Sequence, residues 1–75
     1  MSRSPVKYLV VCIDNSDYAV SLETRKIYVA LRDQKAEATG LLRVIDESGE
    51  DYLYPKNLFR PIALPETIKK AVLAA

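Results

Sequence analysis

Asp46, Glu47, Glu50 and Asp51 place four carboxylates around one short turn. Clustered carboxylates suit two chemistries, acid–base work and the holding of a hard cation. Acid–base work needs a desolvated cleft to move a proton affinity, whereas the tip of a hairpin projects into water. The loop is also far shorter than a calcium-binding loop and lacks its ligand spacing. These residues read as a solvated turn, with a weak acidic docking patch as the alternative.

A second set is basic and aromatic. Arg25, Lys26, Arg43, Lys56 and Arg60 are scattered along the chain, with Tyr28 and Tyr52 between them. Brought together on a small β domain, they would stack bases and contact phosphates of single-stranded nucleic acid. Ordinary surface charge is the competing reading. Eleven Lys and Arg against ten Asp and Glu leave a net charge of +1, so no global field draws a polyanion. Tyr18, Tyr28 and Tyr52 are the aromatic candidates for ligand contact. Each has a plainer role as a ring lining the core mouth with its hydroxyl in water.

Cys12 is the only cysteine and the chain has no histidine. No internal disulfide can form, and neither a zinc site nor a nucleophile–base pair is expected. Cys12 sits in the apolar run Tyr8–Ile13 and reads as a buried core thiol. With two glycines in total there is no phosphate-cradling loop. The chain is not expected to be an enzyme, and no cofactor is expected.

Elements must position these residues. Seventy-five residues, 49% hydrophobic and 28% charged, suit one ordinary folded domain, 1–75. The N-terminus lacks the apolar run of a signal peptide, and no segment approaches a membrane span, so a cytoplasmic location without membrane contact is expected. Met1–Pro5 reads as a frayed tail. Val6–Ile13 reads as a strand apolar on both faces, Asn15–Arg25 as a long excursion, and Lys26–Arg32 as an alternating strand. Asp33 is placed to cap a single helical turn that ends at a left-handed Gly40.

The stretch Leu41–Phe59 carries the strongest local signal. Two apolar runs flank Asp46-Glu47-Ser48-Gly49-Glu50, which suits a type I turn with a glycine bulge. That register pairs Val44 with Tyr52 and Leu42 with Tyr54 on one face, and Arg43 with Leu53 on the other. Pro55–Leu58 reads as a 3₁₀-like turn and Phe59–Leu64 as the last strand. Pro61 confines that strand to an edge or a bulge. Pro65–Ala75 reads as a short helix with Ile68, Ala71, Val72 and Ala75 on one side. A helix this short needs a surface to lie on, either the domain's own open end or a second subunit.

The order of these elements resembles the Src-homology-three fold. Tyr54-Pro55-Lys56-Asn57-Leu58-Phe59 with Ile62 is similar to that fold's closing motif, and Ser21-Leu22-Glu23 before Lys26-Ile27-Tyr28-Val29 is similar to the approach to its second strand. The resemblance covers 6–64. It implies a mainly β protein, a small five-stranded barrel at 6–64 with a short C-terminal helix at 65–75. Pro55 and Asn57 match the motif. The chain has no tryptophan, however, and Leu58 stands where the motif's tyrosine falls, so two ligand-wall residues of a proline-rich groove do not match. The whole chain also resembles a group of short bacterial proteins, which implies no activity.

The functional expectation is a binding module for a protein partner, an adaptor or subunit that uses an aromatic surface or a strand edge. Its candidate contacts are Tyr18, Tyr28, Tyr52, Arg43, Pro55 and Asn57. One alternative is a nucleic-acid-binding barrel using Arg25, Arg43, Lys56 and Arg60. The other is a homodimer through the C-terminal helix, the oligomeric state being open.

Overall fold

The computed structural model describes residues 6–74. The expected tail Met1–Pro5 and the terminal Ala75 lie outside them. The element order is β1 (Lys7–Cys12), β2 (Ile27–Leu31), α1 (Gln34–Ala38), β3 (Leu41–Ile45), β4 (Asp51–Pro55), a 3₁₀ turn (Lys56–Leu58), β5 (Phe59–Pro61) and α2 (Glu66–Ala74). The strands form one antiparallel sheet of five, in the order β4-β3-β2-β1-β5. The sheet is open, with β4 and β5 as its two edges, where a barrel was expected.

One face of the sheet holds the core. Val10, Cys12, Leu22, Tyr28, Ala30, Leu42, Val44, Tyr54, Leu58 and Phe59 form a single buried cluster, with Tyr8 and Tyr18 packed against it. The sheet is strongly curled around this cluster. In a flat sheet β4 and β5 would stand four strand spacings apart, about 19 Å. The rings of Tyr54 on β4 and Phe59 on β5 are instead 6.2 Å apart, edge to face. The 3₁₀ turn makes this possible by carrying the chain from one edge to the other in three residues.

The central hairpin forms as its sequence dictates. Val44 pairs with Tyr52, Leu42 with Tyr54 and Arg43 with Leu53. Gly49 takes φ +84 and its N–H donates to the Asp46 carbonyl. Asp33 caps α1 by accepting from the Ala36 N–H at 3.1 Å, and Gly40 takes φ +81 before β3. The excursion between β1 and β2 is pinned by Leu22, which is fully buried, and by Asn15, whose amide donates to the Leu22 carbonyl at 2.8 Å.

The alternation of β2 is kept: its aliphatic set, Ile27, Val29 and Leu31, faces outward, while Tyr28 and Ala30 face the core. Alanine is small enough to let the large rings meet above it. The outward face is therefore apolar too, with Leu9, Val11, Ile27, Val29, Ile45 and Leu53 on it; of these Leu9 alone is buried.

The last strand is shorter than expected, ending at Pro61, and α2 is not a lid. It buries no residue, Ile68 is 50% exposed, and only Lys69, Val72 and Leu73 are half-covered. The rings and the side chains of Leu22 and Leu58 already fill the inner face, so nothing there is left for α2 to cover.

Two outcomes follow for stability. Gly49→Val lowers it by about 1–2 kcal/mol through the positive φ alone, since no atom lies within 4 Å of a new Cβ; an unchanged denaturant midpoint would contradict the turn. Residues 1–64 stay folded and lose about 2 kcal/mol, the amount for two half-buried aliphatic side chains. A fragment unfolded by far-UV circular dichroism would contradict the peripheral placement of α2.

Candidate functional site

The four turn carboxylates do not act as a set. Asp46 is buried, 7% exposed, and saturated with donors. It accepts the Tyr54 hydroxyl at 2.5 Å, the Ser48 hydroxyl at 2.5 Å and the Ser48 N–H at 2.9 Å. Burial alone would raise its pKa, but the Ser48 hydroxyl, the Tyr54 hydroxyl and the Ser48 amide together hold it below the usual carboxylate value. The expected solvated turn is thus corrected at this residue. Glu47 turns back toward β2, where it meets the Lys26 ammonium at 2.5 Å and the Tyr28 hydroxyl at 2.6 Å. Lys26 first, then Tyr28, depress its pKa. Glu50 accepts the Tyr52 hydroxyl at 3.0 Å, and Asp51 pairs with Arg43 at 3.0 Å. Among the described residues, no group of three acidic or cysteine side chains could hold a metal ion.

The candidate contact residues separate into three places. Tyr28 leaves the surface: it is 4% exposed, donates to Glu47 and accepts the Glu23 N–H at 2.7 Å. Burial first, then the Glu47 carboxylate, pushes its phenol pKa up. Tyr28 is a tie between excursion and hairpin. Arg43 is also engaged, held on the outward face between Asp33 and Asp51, each at 3.0 Å. Its charge is balanced there by the two carboxylates. Asn57 is exposed on the 3₁₀ turn. It shares a depression of about 450 Å³ with Gly40, Lys56, Phe59, Arg60 and Pro61. Arg25 does not line that depression. Pro55 is half-buried at the end of β4.

Tyr18 and Tyr52 do come together. They line an open depression of about 380 Å³ beside β4, with Ser21 of the excursion, Asp46 and Ser48 of the turn, and Leu53 and Tyr54 of the strand. Tyr18 is half-buried, its ring edge-on to Tyr54 at 5.2 Å. Tyr52 and Leu53 are 50% and 44% exposed.

The backbone beside this depression decides what it can do. The Asp46 N–H donates to Glu50 and the Lys56 N–H to Gly40. With the register of β3 and β4, hydrogen-bonded pairs therefore fall on the even positions of β4. Tyr52 and Tyr54 turn their N–H and C=O groups toward β3. Asp51 and Leu53 turn theirs to the open edge, where no backbone partner is found among the described residues.

The β5 edge is the opposite case. Phe59 and Pro61 face outward there, by the bonds Ile13 N–H to Leu58 and Ile62 N–H to Leu9. The Phe59 N–H is taken by the Lys56 carbonyl, and the Phe59 carbonyl accepts from Arg60 at 2.8 Å. Pro61 has no N–H to offer. That edge therefore offers no free N–H, and the Pro61 carbonyl is the outward group left without a partner among the described residues.

Sequence reasoning reached Tyr18 and Tyr52 but missed Leu53 and Asp51 as edge groups. The hairpin register contained that signal through its parity. Ser21 and Ser48 carried no signal beyond their place in turns. No family model, curated protein or solved structure matches the chain. No helix among the described residues is long and apolar enough to cross a membrane.

The Asp46 network sets a pH dependence. A carboxylate whose folded pKa is depressed stabilises the fold above its unfolded value, about 3.9, and loses that contribution as pH falls through the folded value. Asp46→Asn keeps one acceptor oxygen for Ser48, presents its amide N–H to the Tyr54 hydroxyl oxygen, and cannot titrate. The denaturant midpoint of the wild-type chain therefore falls more steeply than that of Asp46→Asn below about pH 4. Parallel acid limbs would contradict the role of Asp46.

Proposed function

We propose that this protein is a protein-interaction module that binds an extended segment along the open edge of β4. The observation that carries this reading is the pair of outward-facing backbone units at Asp51 and Leu53, next to a tyrosine-lined depression. Main-chain hydrogen bonds to an exposed strand supply affinity, and pockets for alternate side chains supply selectivity. Tyr18, Tyr52 and Tyr54 provide flat apolar surface on one side of the incoming strand, and Leu53 provides it on the other. Tyrosine suits this work because it offers contact area at small entropic cost.

The scaffold in this reading is a small barrel of the Src-homology-three kind. Support comes from the strand order, the long first excursion and the 3₁₀ turn before the last strand. The binding mode differs from the proline-rich one, because the depression lies between the excursion and the hairpin turn, and Pro55 and Asn57 do not line it. The nucleic-acid reading keeps only Lys56 and Arg60 together, since Arg43 is neutralised and Tyr28 is buried.

Selection of displayed peptides on the full chain tests the proposal. Binders are expected to alternate apolar and polar residues. Their affinity is lost in Leu53→Pro, which deletes an outward N–H while the ladder bonds of Tyr52 and Tyr54 remain, and it is kept in Arg60→Ala. Peptides that bind Leu53→Pro as tightly as the wild type would refute edge recognition.

A further inference from the structure

We infer that the extended segment for the β4 edge is supplied by a second copy of this chain, so that two sheets join through antiparallel β4 strands. This rests on the edge reading above. Its particular support is the self-complementarity of the strand when it is turned against itself.

Parity restricts the register. Only odd positions of β4 present backbone groups outward, so odd must face odd, and the two-fold axis passes beside Tyr52, Leu53 or Tyr54. Centring on Tyr54 sets Leu53 opposite Pro55, which has no N–H to return, and half of that bond pair is lost. Centring on Tyr52 sets the Asp51 carboxylate against Leu53 and Glu50 against the Tyr54 ring. Centring on Leu53 keeps four main-chain bonds, although each Asp51 carbonyl, opposite Pro55, receives none, and it avoids the side-chain mismatches of the Tyr52 centre. Leu53 N–H and C=O exchange with Leu53 of the other copy, and Asp51 N–H donates to the opposite Pro55 carbonyl, in both directions.

Side chains agree with this register. Leu53 lies against Leu53 on the outward face, where it is otherwise 44% exposed. Tyr52 lies against Tyr54 on the core side, a cross-strand aromatic pair of a stabilising kind. Beyond them Glu50 of each copy faces Lys56 of the other. Neither forms an ion pair among the described residues of one chain. Lys56 also continues the ladder, its N–H reaching Gly40, so its position opposite Glu50 follows from the same spacing. The strand is acidic before β4 and basic after it, and an antiparallel copy always sets one end on the other. The β5 edge, without a free N–H, leaves one productive pairing, which gives a closed pair and not a growing sheet.

Sedimentation equilibrium of the full chain over a concentration series tests the inference. The mass rises from monomer to dimer and stops there. Leu53→Pro stays monomeric. Glu50→Lys weakens the dimer roughly tenfold, through two exposed ion pairs turned to repulsion, and adding Lys56→Glu restores it. If Leu53→Pro does not fold, the charge reversal and its rescue decide the matter. A wild-type chain monomeric throughout, a dimer indifferent to Leu53→Pro, or a charge reversal without rescue each overturns the inference. The edge reading has its own arm: a selected peptide that needs Leu53 and binds at concentrations where the chain is monomeric leaves edge recognition standing while the second copy falls. A peptide that ignores Leu53→Pro removes both.

Discussion

The hydrogen bond from the Tyr54 hydroxyl to the buried Asp46 carboxylate is the constraint on which the sheet depends. Asp46 opens the turn and Tyr54 stands eight residues later on the returning strand. Their bond closes only if β4 returns in one register. A slip of a single residue would send Tyr54 to the outward face and leave the Asp46 carboxylate with Ser48 as its one partner, its other oxygen without the Tyr54 donor. A buried carboxylate oxygen stripped of its donor costs more than a hydrogen bond gains, so the wrong register is penalised. Once Tyr54 points inward, its ring completes the contact with Phe59 and Tyr18 that curls the sheet. The same register then dictates which amides of β4 look outward.

The two edges of the sheet illustrate how differently one chain treats identical backbone chemistry. At β5 a proline removes one donor, the 3₁₀ turn absorbs another, and Arg60 occupies a carbonyl. Unpaired strand edges invite pairing with other chains, and proteins commonly blunt them in these ways. At β4 only Pro55, at the end of the strand, plays such a part; the outward groups of Asp51 and Leu53 have no backbone partner among the described residues. Asp51 is charged, but its charge is spent on Arg43 across the hairpin. What remains is a short ribbon of free donors and acceptors between a leucine and three tyrosines. The functional reading follows from that contrast more than from any single side chain.

Local chemistry was legible in the sequence, and non-local pairing was not. Asp46 and Gly49 declared the hairpin and its register, Asp33 and Gly40 bracketed α1, and Pro61 located an edge strand. Each of these acts within a few residues of itself. Leu22 sits in a stretch of weak alternation, and only the packing of the excursion onto the sheet buries it. Tyr28 was read as a surface candidate because its partner, Glu47, lies nineteen residues away. The outward turn of Ile27, Val29 and Leu31 runs against simple hydrophobic patterning. It is decided by the space that Ala30 leaves for neighbouring rings, a fact of the assembled core. The peripheral place of α2 escaped notice for the same reason: its amphipathic pattern is real, but the inner face was already full.

The central claim is the parity of β4, and residue-resolved amide hydrogen exchange of the dilute chain measures it directly. The Tyr52 and Tyr54 amides, bonded to β3, should be strongly protected, while those of Asp51 and Leu53 exchange nearly as fast as in an unfolded peptide. A Leu53 amide as protected as that of Tyr52 in the dilute monomer would mean the edge is already occupied, and would contradict the account.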